Sequence, residues 1–235
     1  MNFAFFKGEP KLVLFRQILV LVYLYLSSVI FFSCQTENKK SPKNTTIVIA
    51  LQPFGVFKPE LLDSISSAIK GAYPISICVL EAISLPKKAF VQIKSARYRA
   101  DSLLNYLKKI KPDTVDYIIG LTHADISTTK MDDKKQVKHP ESKYGDWGVM
   151  GLGYMPGTSC VVSTYRLQHS NKAVFIARLK KVCIHELGHN FGLPHCHSSK
   201  CVMQDAAESI KTIDNVDMEP CKLCRKNYTK LFSLK

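Results

Sequence analysis

The side chains best placed to do chemistry together are His185 and His189, with Glu186 between them in the run His185-Glu186-Leu187-Gly188-His189. On a helix, residues i and i+4 share one face, so the two imidazoles can offer nitrogens to a single metal ion. Glu186 stands one step round from His185, within reach of a water on that ion without being a ligand. The chain continues Asn190-Phe191-Gly192-Leu193-Pro194-His195. Gly192 can adopt positive φ and end the helix sharply, which lets His195 swing back as a third ligand. Three histidines leave a coordination position open, the arrangement of a catalytic rather than a closed zinc site. Water on such an ion has a pKa of about 7 rather than 15.7, and Glu186 is the expected general base for its attack on a carbonyl. The bland alternative is an amphipathic helix that happens to carry two histidines. The third histidine, after a glycine turn, argues against it.

The chain has eight cysteines, and four of them follow this segment: Cys196, Cys201, Cys221 and Cys224. Their spacing suits a tetrahedral four-thiolate zinc site, closed to substrate. It also suits two disulfides, which an oxidising compartment would favour. Cys78, Cys160 and Cys183 lie in apolar runs and are read as buried free thiols. Met203 is read as an apolar support close to the histidines.

These residues must be held by a folded domain. Residues 46–51 are β-rich and form the expected first strand. Pro59 opens a helical pattern through Leu61, Leu62, Ile65 and Ile69 that should stop near Gly71. Residues 75–80 read as a second strand and residues 98–110 as a second helix ended by Pro112. Residues 115–121 read as a third strand, apolar enough to lie in mid-sheet. Residues 123–145 are polar and read as a surface loop. Residues 148–154 and 159–165 read as two further strands around the turn Met155-Pro156-Gly157, and residues 173–190 as the long helix that carries the histidines. The order β-α-β-α-β-β-β-α predicts a layered α/β domain.

The N-terminal segment has a different character. Lys7, Lys11 and Arg16 precede an apolar run that ends Phe31-Phe32-Ser33-Cys34. Positive residues, an apolar core and a small residue before a break are the parts of an export signal. The end of the run resembles the lipobox of bacterial lipoproteins, which implies lipidation of Cys34 and attachment of an exported domain to a membrane. An uncleaved helical anchor is the alternative. The expected organisation is a signal over 1–34, a flexible tether over 35–44 and a catalytic domain over 45–235. The chain carries 33 Lys+Arg against 19 Asp+Glu, a net charge of +14. The basic residues are dispersed, without an arginine-rich helix or aromatic-interleaved basic motif, so nucleic-acid binding is not expected.

From His185 to His195, then Cys196, Cys201, Val202, Met203, Cys221 and Cys224, the chain resembles the archaemetzincin signature, within the metzincin clan of zinc peptidases. Looser likeness extends upstream through Ala96-Arg97-Tyr98, Tyr117-Ile-Ile-Gly-Leu-Thr-His-Ala-Asp125 and Val161-Val-Ser-Thr-Tyr-Arg-Leu167. The resemblance implies a single metzincin-like domain with a twisted, mixed five-stranded sheet and about three main helices. It implies two zinc ions per chain: one catalytic on His185, His189 and His195, one structural on Cys196, Cys201, Cys221 and Cys224. Met203 would be the methionine of the turn beneath the catalytic metal, and residues 151–154 the edge strand along which a peptide or protein substrate pairs. A monomer is expected. The competing reading is a non-catalytic, zinc-stabilised binding lipoprotein, which would have no need of Glu186.

Overall fold

The computed structural model describes residues 46–205 and 209–232. The proposed signal, Cys34 and the tether lie outside the described residues. Two sheets organise the domain. The larger is built from β1 (Val48–Phe54), β2 (Ser76–Val79), β5 (Tyr117–Thr122), β8 (Gly151–Gly153) and β9 (Ser159–Ser163), in the order β2-β1-β5-β9-β8. Its first four strands are parallel, and β8 runs antiparallel to β9 at the edge. This is the mixed five-stranded sheet expected from the sequence, with β5 at its centre.

Side-chain alternation explains why helices cover both faces. Ile49, Leu51, Ile119, Leu121, Cys160 and Val162 point to one side, where α1 (Pro59–Ala72) and α4 (Lys172–Asn190) pack. Ala50, Ile118 and Val161 point to the other, against α2 (Ala100–Ile110). Strands buried on both faces read as unbroken apolar runs, as β5 does. Leu103, Leu104 and Leu107 of α2 are fully buried, each worth roughly 1.5–3 kcal/mol of apolar transfer. Gly120 makes room for them, since a Cβ there would stand 2.8 Å from the Leu107 side chain.

The smaller sheet, absent from the sequence reading, has the order β3-β4-β6-β7, from Phe90–Gln92, Ala96–Arg99, Ile126–Thr128 and Trp147–Val149. It corrects three expectations. The segment 123–145, expected as a loop, contains β6 and the short helix α3 (Glu141–Tyr144). The helix expected from Tyr98 begins at Ala100, because Tyr98 and Arg99 pair with β6. The single strand expected over 148–154 is two strands: β7 pairs with β6 and β8 with β9, the change of sheet falling at Met150. Buried charge explains why this was hidden. Asp125 and Asp146 are buried but ion-paired with Arg97, and Asp125 also with Arg166. Such a segment keeps a polar composition inside the fold.

The three expected long helices are α1, α2 and α4. Two more, α5 (Ile210–Asn215) and α6 (Lys222–Phe232), follow the histidine segment. Tyr228 of α6 donates to the carbonyl of Ala72 at 3.1 Å and stacks edge-on to Tyr73, fixing α6 against the end of α1. Cys160 and Cys183 are buried as expected. Cys78 is only half-buried, a correction that follows from its place on the edge strand β2. No helix among the described residues is long and apolar enough to cross a membrane.

Candidate metal centre and active site

Helix α4 starts at Asn171, whose side chain accepts from the backbone N–H of Ala173 at 2.9 Å, an N-cap that satisfies one of the unpaired first-turn donors. Its other end is a Schellman turn. Gly192 has φ +82°, its N–H donates to the carbonyl of His189, and that of Leu193 donates to the carbonyl of Gly188. This closure turns the chain back on itself, and Pro194-His195 return to the helix face. Asn190 holds the helix end to the sheet by donating to the carbonyls of Tyr154 and Ser159, both at 2.9 Å.

The three histidines meet where the sequence required. One nitrogen from each of His185, His189 and His195 lies within 4.8 Å of the others. His185 Nδ1 is 2.8 Å from the carbonyl of Val202, and His189 Nδ1 is 2.8 Å from that of Leu193. A carbonyl can only accept, so each Nδ1 carries the proton and each Nε2 presents a lone pair. Those two Nε2 atoms face each other at 3.0 Å. Two acceptors cannot bond to one another, but a cation between them satisfies both. Tetrahedral ligands at about 2.1 Å from a zinc ion stand roughly 3.4 Å apart, close to this spacing. Burial, and then the neighbouring His189, push the His185 imidazole down to about 3, and burial lowers His189 as well. Both are thus neutral, the form that ligates metal. The donor set fits zinc.

Glu186 lines the same cavity as this trio, with its carboxylate against the β8 glycines. It is buried, and burial pushes its carboxyl up to about 8. The glycines of β8 create its position. A Cβ on Gly151 would stand 2.6 Å from Glu186 Oε1, and one on Gly153 would stand 2.7 Å from the Glu186 carbonyl. Only a strand without side chains there lets the carboxylate reach the sheet edge. The glycines of Gly151-Leu152-Gly153 were a signal of this in the sequence that was not read.

Met203 is fully buried and lies under the helix against Gly188, the position between the two helical histidines, where any Cβ would collide with its sulfur. Tyr73 supports the same turn by donating to the carbonyl of Ile184 at 3.0 Å. Neither Tyr73 nor Asp205, whose carboxylate lies 3.6 Å from His195 Nδ1, was found from the sequence. Both are single residues outside any spaced pattern.

The trio opens on a cavity of about 340 Å³ along β8, walled on its far side by Val202, Ile213 and Val216. Lys181 lies at the rim and donates to the carbonyls of Ile213 and Asp214, which holds α5 over the cavity. Arg178, one turn earlier, makes two 2.7 Å bonds to the carboxylate of Asp214.

The four cysteines also converge, with all Sγ atoms within 4.8 Å of one another. Cys196 Sγ lies 3.8 Å from Cys221 Sγ, and Cys201 Sγ lies 3.8 Å from Cys224 Sγ. A disulfide requires about 2.05 Å, whereas thiolates at about 2.3 Å from one tetrahedral zinc stand roughly 3.8 Å apart. The cluster has the spacing of a four-thiolate metal site rather than of two disulfides. Cys221, just before α6, receives the backbone N–H of Cys224, which with the other sulfurs draws its thiol down to about 7. The N–H of Cys221 in turn donates to Cys201 Sγ at 3.2 Å.

The comparisons agree with this geometry. The family model described as Peptidase family M54 matches residues 43–230. The archaemetzincin of Haloquadratum walsbyi is 32% identical over 187 residues, covering 76% of this chain and 95% of that protein. The archaemetzincin of Methanopyrus kandleri is 30% identical over 140 residues, 60% of this chain and 70% of that protein. The crystal structure of an archaemetzincin from Methanopyrus kandleri superposes with a TM-score of 0.67 at 25% identity, over 82% of this chain and 99% of that one. The chain belongs to peptidase family M54, the archaemetzincins, and is a zinc metallopeptidase.

Proposed function

We propose that the protein hydrolyses peptide bonds with Glu186 as general base, at a zinc held by His185, His189 and His195, and that a second zinc on Cys196, Cys201, Cys221 and Cys224 is structural. The observation that carries this reading is the meeting of three imidazoles with a buried carboxylate beside an open cavity. Zinc, when bound, supplies Lewis acidity that lowers the pKa of water and polarises a carbonyl. The residues of the chain do the rest. The carbonyls of Val202 and Leu193 hold the two helical imidazoles in the ligating tautomer. Glu186 Oε1, nearest to Gly151, takes the proton from the attacking water and delivers it to the leaving amine. Burial keeps that carboxylate out of bulk water and close in proton affinity to neutral pH. The substrate backbone pairs with the outer edge of β8, which ends the larger sheet.

The test is Glu186→Gln, measured by zinc content and by cleavage of a mixed peptide pool. The expected result is unchanged zinc with a loss of at least about 100-fold in hydrolysis, the size of a general-base contribution. Full activity in that variant would remove Glu186 from the role. The sequence of residues 1–34 supports export and lipidation at Cys34. Fatty-acid labelling of the full chain in a bacterial host, lost in Cys34→Ala, is the corresponding check.

A further inference from the structure

A second cavity, of about 420 Å³, lies beside the catalytic one, and Met150 lines both. Its walls present Lys94, Arg97, Lys143 and Arg166, with Asp146 as the one carboxylate. The two arginines are fixed from behind. Arg97 donates to Asp125 at 2.8 Å and to Asp146 at 3.1 Å, and Arg166 makes two 2.8 Å bonds to the same Asp125. Both aspartates are buried. Arg97, Arg166 and, at 3.9 Å, Arg99 share these two carboxylates, and with Lys94 and Lys143 added the wall keeps an excess of positive charge. Arg166 lies flat against Gly148, where any Cβ would collide with the guanidinium. Among the described residues its Nη1 has no hydrogen-bond partner, and the Lys143 ammonium faces only the rings of Tyr144 and Trp147, 4.9 and 5.4 Å away. A pre-positioned guanidinium with a spare donor, backed by an exposed ammonium, suits a carboxylate.

The place of this cavity gives it a purpose. Gly148 precedes Gly151, the residue beside Glu186, by three positions on one edge segment. At about 3.3 Å per residue that is at most roughly 10 Å, since the chain bends at Met150 between β7 and β8. A peptide extended along the edge, cut beside Glu186, would carry a group about three residues from the scissile bond over the basic wall.

We propose that this cavity is an anion subsite of the peptidase, taking a substrate carboxylate about three residues from the bond that is cut. The proposal rests on the peptidase reading above. The carboxylate has two sources, an Asp or Glu side chain or the free C-terminus of a peptide. The experiment uses the full, zinc-loaded chain and a peptide series in which one Glu walks along a neutral sequence. Each peptide has a Gln twin, and each is made with a free and an amidated C-terminus. The readout is the ratio of kcat/KM for Glu over Gln within one enzyme preparation, so partial unfolding of a variant cancels. We expect a ratio of about tenfold at one position, the scale of a charge-assisted bond in a half-exposed site. In Arg166→Gln, and separately in the exposed Lys143→Gln, that ratio falls toward one. A dependence on amidation alone would support the subsite and assign it to the chain terminus. Equal rates at every position and for both termini would overturn the subsite while leaving the peptidase intact. If no peptide is cut at all, the peptidase reading falls and the subsite with it.

Discussion

The two metal-capable clusters lie on one stretch of chain and are built in opposite ways. The histidine trio draws two of its members from a long, well-capped helix and the third from the turn after it, and faces a cavity of about 340 Å³. The cysteine quartet draws its ligands from a turn and from the start of α6, and two of its members, Cys201 and Cys224, are buried. One has three imidazole nitrogens with a carboxylate beside them. The other has four sulfurs whose spacing closes on itself. The contrast teaches that openness, rather than ligand affinity, separates a site that works from a site that holds.

Several substitutions should break or sharpen that contrast. The largest effect belongs to Glu186→Gln, which should cost catalysis at least about 100-fold with both metals and the melting temperature kept. Next is Cys221→Ser, which should remove one zinc equivalent and about 4 kcal/mol of stability, a fall of roughly 10 °C by calorimetry. If the metal count is unchanged, the quartet is not a metal site. A smaller effect is expected from Gly151→Ala, whose Cβ would press on the Glu186 carboxylate from 2.6 Å. Its kcat should fall by roughly tenfold through misplacement of the base, with little change in zinc content. A loss confined to KM would instead place the damage in substrate pairing. The smallest is Met203→Leu, close in volume and fully buried, expected to cost less than about 1.5 kcal/mol. A larger loss, read from denaturant midpoints, would show that the sulfur itself matters beneath Gly188.

The parts legible in the sequence were those written as spacing. His185, His189 and His195 could be placed together because helical period and a glycine turn fix their geometry, and the four cysteines because their positions resemble the archaemetzincin signature, their spacing alone suiting two disulfides as well. The parallel strands β1, β5 and β9 were legible because both of their faces are apolar. The second sheet was not. Its strands have only three or four residues each, and Asp125 and Asp146 are buried in it through pairing with arginines that lie far away in sequence. Hydrophobic period cannot register a buried charge whose partner it cannot see. The break at Met150 was hidden for a related reason: a single bend separates two short strands, and no turn residue at Met150 itself marks the change of partner strand. The edge strand over 151–154 was expected, but the room its glycines leave for Glu186 was not, because glycine reports an absence of side chain and what fills that space is known only in three dimensions.

His195 and Cys196 are neighbours in the chain, and the N–H of Cys196 donates to the carbonyl of Met203 at 2.8 Å. The segment carrying the third imidazole is therefore tied at both ends, by the Schellman turn at Gly192 and by this bridge. It forms a short closed loop whose conformational entropy is lost when the domain folds. Capture of an ion by the proposed trio would then have little ordering left to do, and His195, the most exposed of the three, would approach it from a segment already held in place.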